Sequence, residues 1–220
     1  MLAVMVTVLL SAHSALVEIR VGNHVTASGV RVSLAHVITN AHVVAHEGAV
    51  SVICDGVFIY ADVVGSDANA DLALLELRDG EQCVTAFAVF RPMGALAGER
   101  LFARGCPYGD CRRVKSGETL ARLDIGGQDR LVTSLFVRPG SSGGPAYDED
   151  GEVVGVVYAY SHDIADHRVT YGLLVPVDRV ISFILDRCSL SGGTPITLHV
   201  GQAHSERFCR HAQADPVALR

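Results

Sequence analysis

A chain of 220 residues is long enough to bury a core of its own, and a composition of 49% apolar and 19% charged residues excludes wholesale disorder. The net charge of −6, with no block of Lys and Arg, leaves no electrostatic footprint for a nucleic-acid partner. Arg112, Arg113 and Lys115 form only a short basic patch, read as a solvated loop.

Residues 1–10 are apolar, but a bilayer span needs about 20 such residues. They also lack the basic start of a secretory signal, and Ala12-His13-Ser14 is a loose cleavage match. Residues 1–14 are set apart as an apolar leader with three readings open: a weak signal, the end of a longer hydrophobic segment, or a packed strand. Any membrane association is expected through this leader alone.

From Leu16 onward the pattern is that of strands. Leu16 to Val21 alternates apolar and polar, the mark of a half-buried strand. Residues 25–32 and 37–39 follow. Val50 to Cys54 and residues 57–64 flank Asp55-Gly56, a strong hairpin signal. Leu72 to Leu77 is a further strand, and 87–92 runs into a Gly-containing connector at 93–98, where the boundary between two lobes is placed. In the second half, Arg100 to Arg104, 115–123, 131–137, 153–160 and 169–175 read as strands. Residues 178–188 carry helical spacing at Val180, Ile181, Ile184 and Leu185. The expected organisation is one domain at 15–188, with lobes at 15–92 and 99–188, then a loose tail at 189–220 carrying at most one strand, Thr197 to Val200. So many short strands predict an all-β sandwich or barrels.

The six cysteines permit many pairings and do not fix a redox compartment. A secreted or periplasmic location is slightly favoured, with cytoplasmic and viral origins open. Cys54 sits in an apolar run and is expected to be a small buried thiol. Cys106 and Cys111 are expected to close a small loop in an oxidising compartment. Neither Cys106-x4-Cys111 nor the Cys209, His211 and His204 cluster has a standard zinc spacing, so no metal is expected.

Three segments carry chemistry together. Pro139-Gly140-Ser141-Ser142-Gly143-Gly144-Pro145 presents a serine between glycines, which let successive N–H groups turn toward one point and hold an oxyanion. Thr39-Asn40-Ala41-His42 puts an imidazole at the end of a strand, where it can act as the base that a serine hydroxyl needs. Ala70-Asp71-Leu72 sends a carboxylate into an apolar strand, a costly placement unless it is hydrogen-bonded, and a His Nδ1–H is a suitable partner. Asp67 competes for that role.

These segments, quoted as TNAHVV, DLALLEL and GSSGGPAYDEDGEVVGVV, resemble the trypsin-like peptidases, above all their HtrA-like branch. The resemblance covers about residues 15–186. It implies two orthogonal six-stranded Greek-key β-barrels with the active site between them and a short C-terminal helix. It implies a serine endopeptidase acting on protein or peptide substrates through an acyl-enzyme, without cofactor or metal. His42, Asp71 and Ser142 are the implied triad, and the N–H groups of Gly140 and Ser142 the implied oxyanion hole. Ser141 is then a turn residue. Alignment to the family puts Phe136 at the base of the specificity pocket, with Tyr158, Ala159, Tyr160 and Gly172 as walls. No acid lies at that base, so cleavage is expected after small or medium apolar residues. Two rival readings use the same fold: a viral polyprotein-processing protease and a catalytically silent peptide-binding barrel. Too few residues follow Asp186 for the PDZ domain usual in HtrA proteins, so regulation and oligomerisation through one are not carried over; the oligomeric state stays open. The 106–111 loop is foreign to the family pattern.

Overall fold

The computed structural model describes residues 14–22, 25–162, 169–188, 196–201 and 205–208. Most of the apolar leader and much of the tail, including Cys209, lie outside the described residues, as does the side chain of Cys188.

The first six strands are β1 (Leu16–Val21), β2 (Val25–Arg31), β3 (His36–Thr39), β4 (Val50–Cys54), β5 (Val57–Asp67) and β6 (Leu72–Leu77). They close into an antiparallel barrel in the order β1-β2-β3-β6-β5-β4. A one-turn helix, α1 (Ala41–Val44), follows β3. The Asp55-Gly56 signal is realised as a hairpin: both residues have positive φ, +48° and +87°, and Cys54 pairs with Val57 across the turn.

Next come β7 (Val89–Phe90), β8 (Arg100–Arg104), β9 (Val114–Ile125), β10 (Gln128–Thr133), β11 (Pro145–Tyr147), β12 (Val153–His162) and β13 (Val169–Pro176). The order β11-β8-β9-β10-β13-β12 closes on itself through a β11–β12 pairing, giving a second six-stranded antiparallel barrel. β7 adds to the edge of β12 in parallel, so the chain reaches the second sheet ahead of the 93–98 connector. Helix α2 (Val177–Cys188) and the hairpin of β14 (Thr197–Val200) and β15 (Ser205–Phe208) complete the described chain.

Three apolar clusters explain why some strands alternate and others do not. Val17, Ile19, Val37, Val52 and Leu75 fill the first barrel, while Leu101, Leu131, Val154 and Leu174 fill the second. A third cluster lies between the barrels, with Val30, Ile38, Leu72 and Leu74 from the first meeting Tyr147, Val153, Val156 and Val175 from the second. Val180, Phe183 and Ile184 of α2 pack on it at helical spacing. Strands β6 and β12 feed an inner core with one face and the shared core with the other, so both read as nearly continuous apolar runs. Each fully buried Leu or Val contributes about 1.5–3 kcal/mol, and the shared cluster ties the barrels into one body.

The cysteines require one correction. Cys54 is not a free thiol: it is bonded to Cys83, with their Cα atoms 5.2 Å apart. Its burial is as expected, but the 3-10 turn Gly80–Gln82 delivers a partner that lies 29 residues away in sequence. Cys106 and Cys111 do close the small loop. Among the described residues no group of three or more His, Cys, Asp or Glu is placed to hold a metal ion, and no helix is long and apolar enough to cross a membrane.

Candidate active site

His42 enters α1 directly after β3, with its side chain 48% exposed. Asp71 stands at the start of β6, its side chain 9% exposed and its backbone in the left-handed region at φ +55°. A non-glycine residue held there is costly and persists only where its surroundings fix it. They do so here: the Asp71 carbonyl accepts from Asn40 Nδ2 at 2.9 Å. The carboxylate accepts from the His42 backbone N–H at 2.8 Å through Oδ1, and its Oδ2 lies 2.7 Å from His42 Nδ1. That second contact sets Nδ1 as the protonated ring nitrogen and leaves Nε2 as an acceptor. Asp67 is engaged elsewhere, its Oδ1 accepting from the N–H groups of Asn69 and Ala70. The neighbouring His36 is wholly buried against the Ser33 hydroxyl, and burial holds its imidazole below the ordinary pKa. It is a neutral structural residue.

Ser142 stands on a loop of consecutive turns. Ser141 N–H donates to Arg138 O at 2.9 Å, with Pro139 second and Gly140, φ +92°, third in the turn, the type II residue pattern. Gly143 N–H donates to Val157 O, and Gly144 N–H to Ser141 O. Among the described residues the N–H groups of Gly140 and Ser142 donate to no backbone or side-chain acceptor, leaving two donors on either side of Ser141. Ser141 is buried and its hydroxyl accepts from the Arg138 N–H, a turn-forming role.

One residue of the first barrel seats this loop. Ser28 of β2 is fully buried; its N–H donates to Ser142 O at 2.9 Å and its hydroxyl donates to Gly140 O at 2.7 Å. The same hydroxyl accepts from Cys106 N–H, and the Ser28 carbonyl accepts from Thr39 Oγ1. Nothing in the sequence pattern singled out Ser28, because its partners lie 78 and 112 residues away. The close approach requires glycine at 143, which has φ +85°, and where a Cβ would collide with Ser28 O and Thr39 Oγ1. Gly143→Ala is therefore expected to destabilise the fold by about 3 kcal/mol, combining left-handed strain with overpacking. Urea unfolding checks this as a lowered midpoint at unchanged slope; an unchanged midpoint would show the barrels are not joined here.

His42, Asp71 and Ser142 line one cleft of about 390 Å³, together with Ala68, Gln128, Tyr158, Ala159 and Tyr160. The Tyr158 ring meets the His42 ring edge-on, with centroids 6.3 Å apart, and the Ser142 hydroxyl donates to Tyr158 O at 3.4 Å. The Arg130 guanidinium also lies against Tyr158, 4.3 Å from the ring centroid. Phe136 and Gly172 are not brought to this cleft. Phe136 lines a neighbouring cavity, and Gly172 pairs with Thr133 in the β10–β13 ladder. A hydroxyl, an imidazole and a carboxylate lining one cleft, with two free amides beside the hydroxyl, can support acyl transfer.

The trypsin-like peptidase domain model matches residues 27–156, which hold all three side chains. The chain belongs to the trypsin-like peptidase family. Among relatives, this trypsin-like chain is 35% identical over 126 residues to a probable periplasmic serine endoprotease DegP-like from Brucella suis, covering 55% of the chain and 25% of the relative. It is 37% identical over 142 residues to the serine protease Do-like HtrA of Bacillus subtilis, covering 56% and 30%. The trypsin-like chain thus spans about a quarter to a third of these curated relatives. Among solved structures, a protease from M. tuberculosis in its active form superposes with a TM-score of 0.71 at 25% identity, covering 85% of each chain.

Proposed function

We propose that this chain is a serine endopeptidase that hydrolyses peptide bonds through an acyl-enzyme, with His42, Asp71 and Ser142 as its triad. The observation that carries the reading is the Asp71 carboxylate engaged with both His42 Nδ1 and His42 N–H, in the cleft that also holds Ser142. His42 Nε2 takes the proton as Ser142 Oγ attacks the carbonyl carbon, a step that needs the hydroxyl to leave Tyr158 O. Such contacts tighten when substrate binds. The tetrahedral oxyanion is held by the N–H groups of Gly140 and Ser142. His42 then protonates the leaving amine, and water repeats the sequence to release the acid. Asp71 holds the ring in orientation and supports the imidazolium.

The substrate reading follows from the cleft. Tyr158, Ala159 and Tyr160 give it an apolar wall, and among the described residues that line it the one carboxylate, Asp71, is taken by His42. Among the described residues that line the cleft, a Lys or Arg side chain buried there would find no free anion, and an acidic one no Lys or Arg. Cleavage is expected after small or medium apolar residues such as Val, Ala or Leu. The preference is broad, since a pocket discriminates by only about 1–3 kcal/mol per methylene. Digestion of a peptide library, read by mass spectrometry, tests both parts: dominant cuts after basic or acidic residues would refute the cleft assignment, and no cuts at all would refute the peptidase.

A further inference from the structure

A second cavity, of about 230 Å³, borders the turn that carries Gly140. It includes Arg138 and Ser141 from that turn and none of the residues lining the triad cleft. In a chain of net charge −6, its walls gather Arg104, Arg113, Lys115 and Arg138 against a single acid, Asp110. Asp110 is already spoken for by Arg112 and Arg113, and these partners hold its carboxyl below the ordinary range. Lys115 and Arg138 sit instead against the Phe136 ring, 5.7 and 5.3 Å from its centroid, and among the described residues neither has an ion-pair partner. Two members of the short basic patch, Arg113 and Lys115, thus join Arg104 and Arg138 beside the Phe136 ring.

We propose that this cavity binds the carboxylate of an acidic peptide, and that the bound peptide braces the Arg138–Ser141 turn. Lys115 and Arg138 both line the cavity, and an anion bound in it can accept charge-assisted hydrogen bonds from them. The half-exposed Phe136 and the largely exposed Tyr108 give an apolar neighbour of the acid a surface to cover, which inorganic phosphate does not use. Arg138 is the first residue of the turn, and its carbonyl holds the Ser141 N–H. Anchoring it limits the freedom of the Gly140 and Ser142 amides. The effect on turnover rests on the peptidase reading; the binding does not.

The binding is tested by calorimetric titration of the full chain as Ser142→Ala, which cannot cut the probe. The probes are N-acetyl-Leu-Glu-Glu-amide, its Leu-Gln-Gln analogue and inorganic phosphate. The acidic peptide is expected to bind about tenfold or more tightly than the Gln analogue, and Lys115→Gln to remove about tenfold of that affinity. Binding should also weaken as salt is raised. In the wild-type chain the acidic peptide, with its Leu–Glu amide N-methylated so that it is not itself cut, should raise kcat on an uncharged substrate by a few fold with little change in KM. Equal affinity for the Gln analogue, or an unaltered affinity in Lys115→Gln, would overturn the proposal. Phosphate binding as tightly as the peptide would overturn the choice of ligand. A wild-type chain that hydrolyses nothing would defeat the peptidase reading, while the titration would still decide this one.

Discussion

Ser142→Ala is expected to lower peptide hydrolysis by about six orders of magnitude while leaving the fold intact. The fold should survive because the loop is held through main-chain groups: Ser28 N–H donates to the Ser142 carbonyl, and Gly143 and Gly144 donate to Val157 and Ser141. Alanine keeps all of these and loses only the hydroxyl and its 3.4 Å contact to Tyr158 O. His42→Ala should cost about as much, and the double variant little more, because nucleophile and base act as a unit. Turnover of a peptide substrate and the thermal midpoint, measured on the same preparations, check the two halves. Substantial activity in Ser142→Ala would remove Ser142 from the chemistry. A collapsed midpoint would mean that the hydroxyl is structural.

Asp71→Asn should lose about four orders of magnitude in turnover. The carboxylate accepts from two donors on His42, the ring Nδ1–H and the backbone N–H. An amide has one acceptor oxygen, so it satisfies one of these donors and presents an NH2 group to the other. If the NH2 faces the ring, Nδ1 must become the acceptor, and Nε2 then carries the proton and cannot act as base. Asp67→Asn is the control. An Asn side-chain oxygen accepts the Asn69 and Ala70 N–H groups as the carboxylate does, so turnover should stay within about threefold. Steady-state kinetics on the two variants check the assignment; a large loss in Asp67→Asn with none in Asp71→Asn would reverse the two roles.

Where a local rule decided the outcome, the sequence could be read. Asp55-Gly56 has one good conformation between two apolar strands, and the hairpin sits there. The fold brings the three site segments to one cleft, and each stood out in the sequence because glycine-flanked serine, post-strand histidine and strand-entering aspartate each have a chemical reason for their composition. What escaped depended on distant partners. The Cys54–Cys83 bridge joins the end of a hairpin to a later turn, and no spacing rule predicts it. Residues 131–137 read as one strand because Leu135 and Val137 are buried, yet the ladder ends at Thr133 and both side chains reach the second core from irregular chain. The same strand begins earlier than its apolar residues suggest. Gln128-Asp129-Arg130 looks like loop, but Arg122 and Arg179 pair with Asp129, and Arg130 is buried over Tyr158. Phe136, at the end of that misread run, accordingly faces a cavity other than the triad cleft.

The triad itself is tested most directly by covalent labelling with a fluorophosphonate, followed by peptide mapping. The hydroxyl becomes reactive only if a base takes its proton and the adjacent amides receive the developing charge. The predicted result is a single adduct on Ser142 in the wild-type chain, absent in His42→Ala. An adduct on Ser141, or labelling of Ser142 that survives the loss of His42, would contradict the triad.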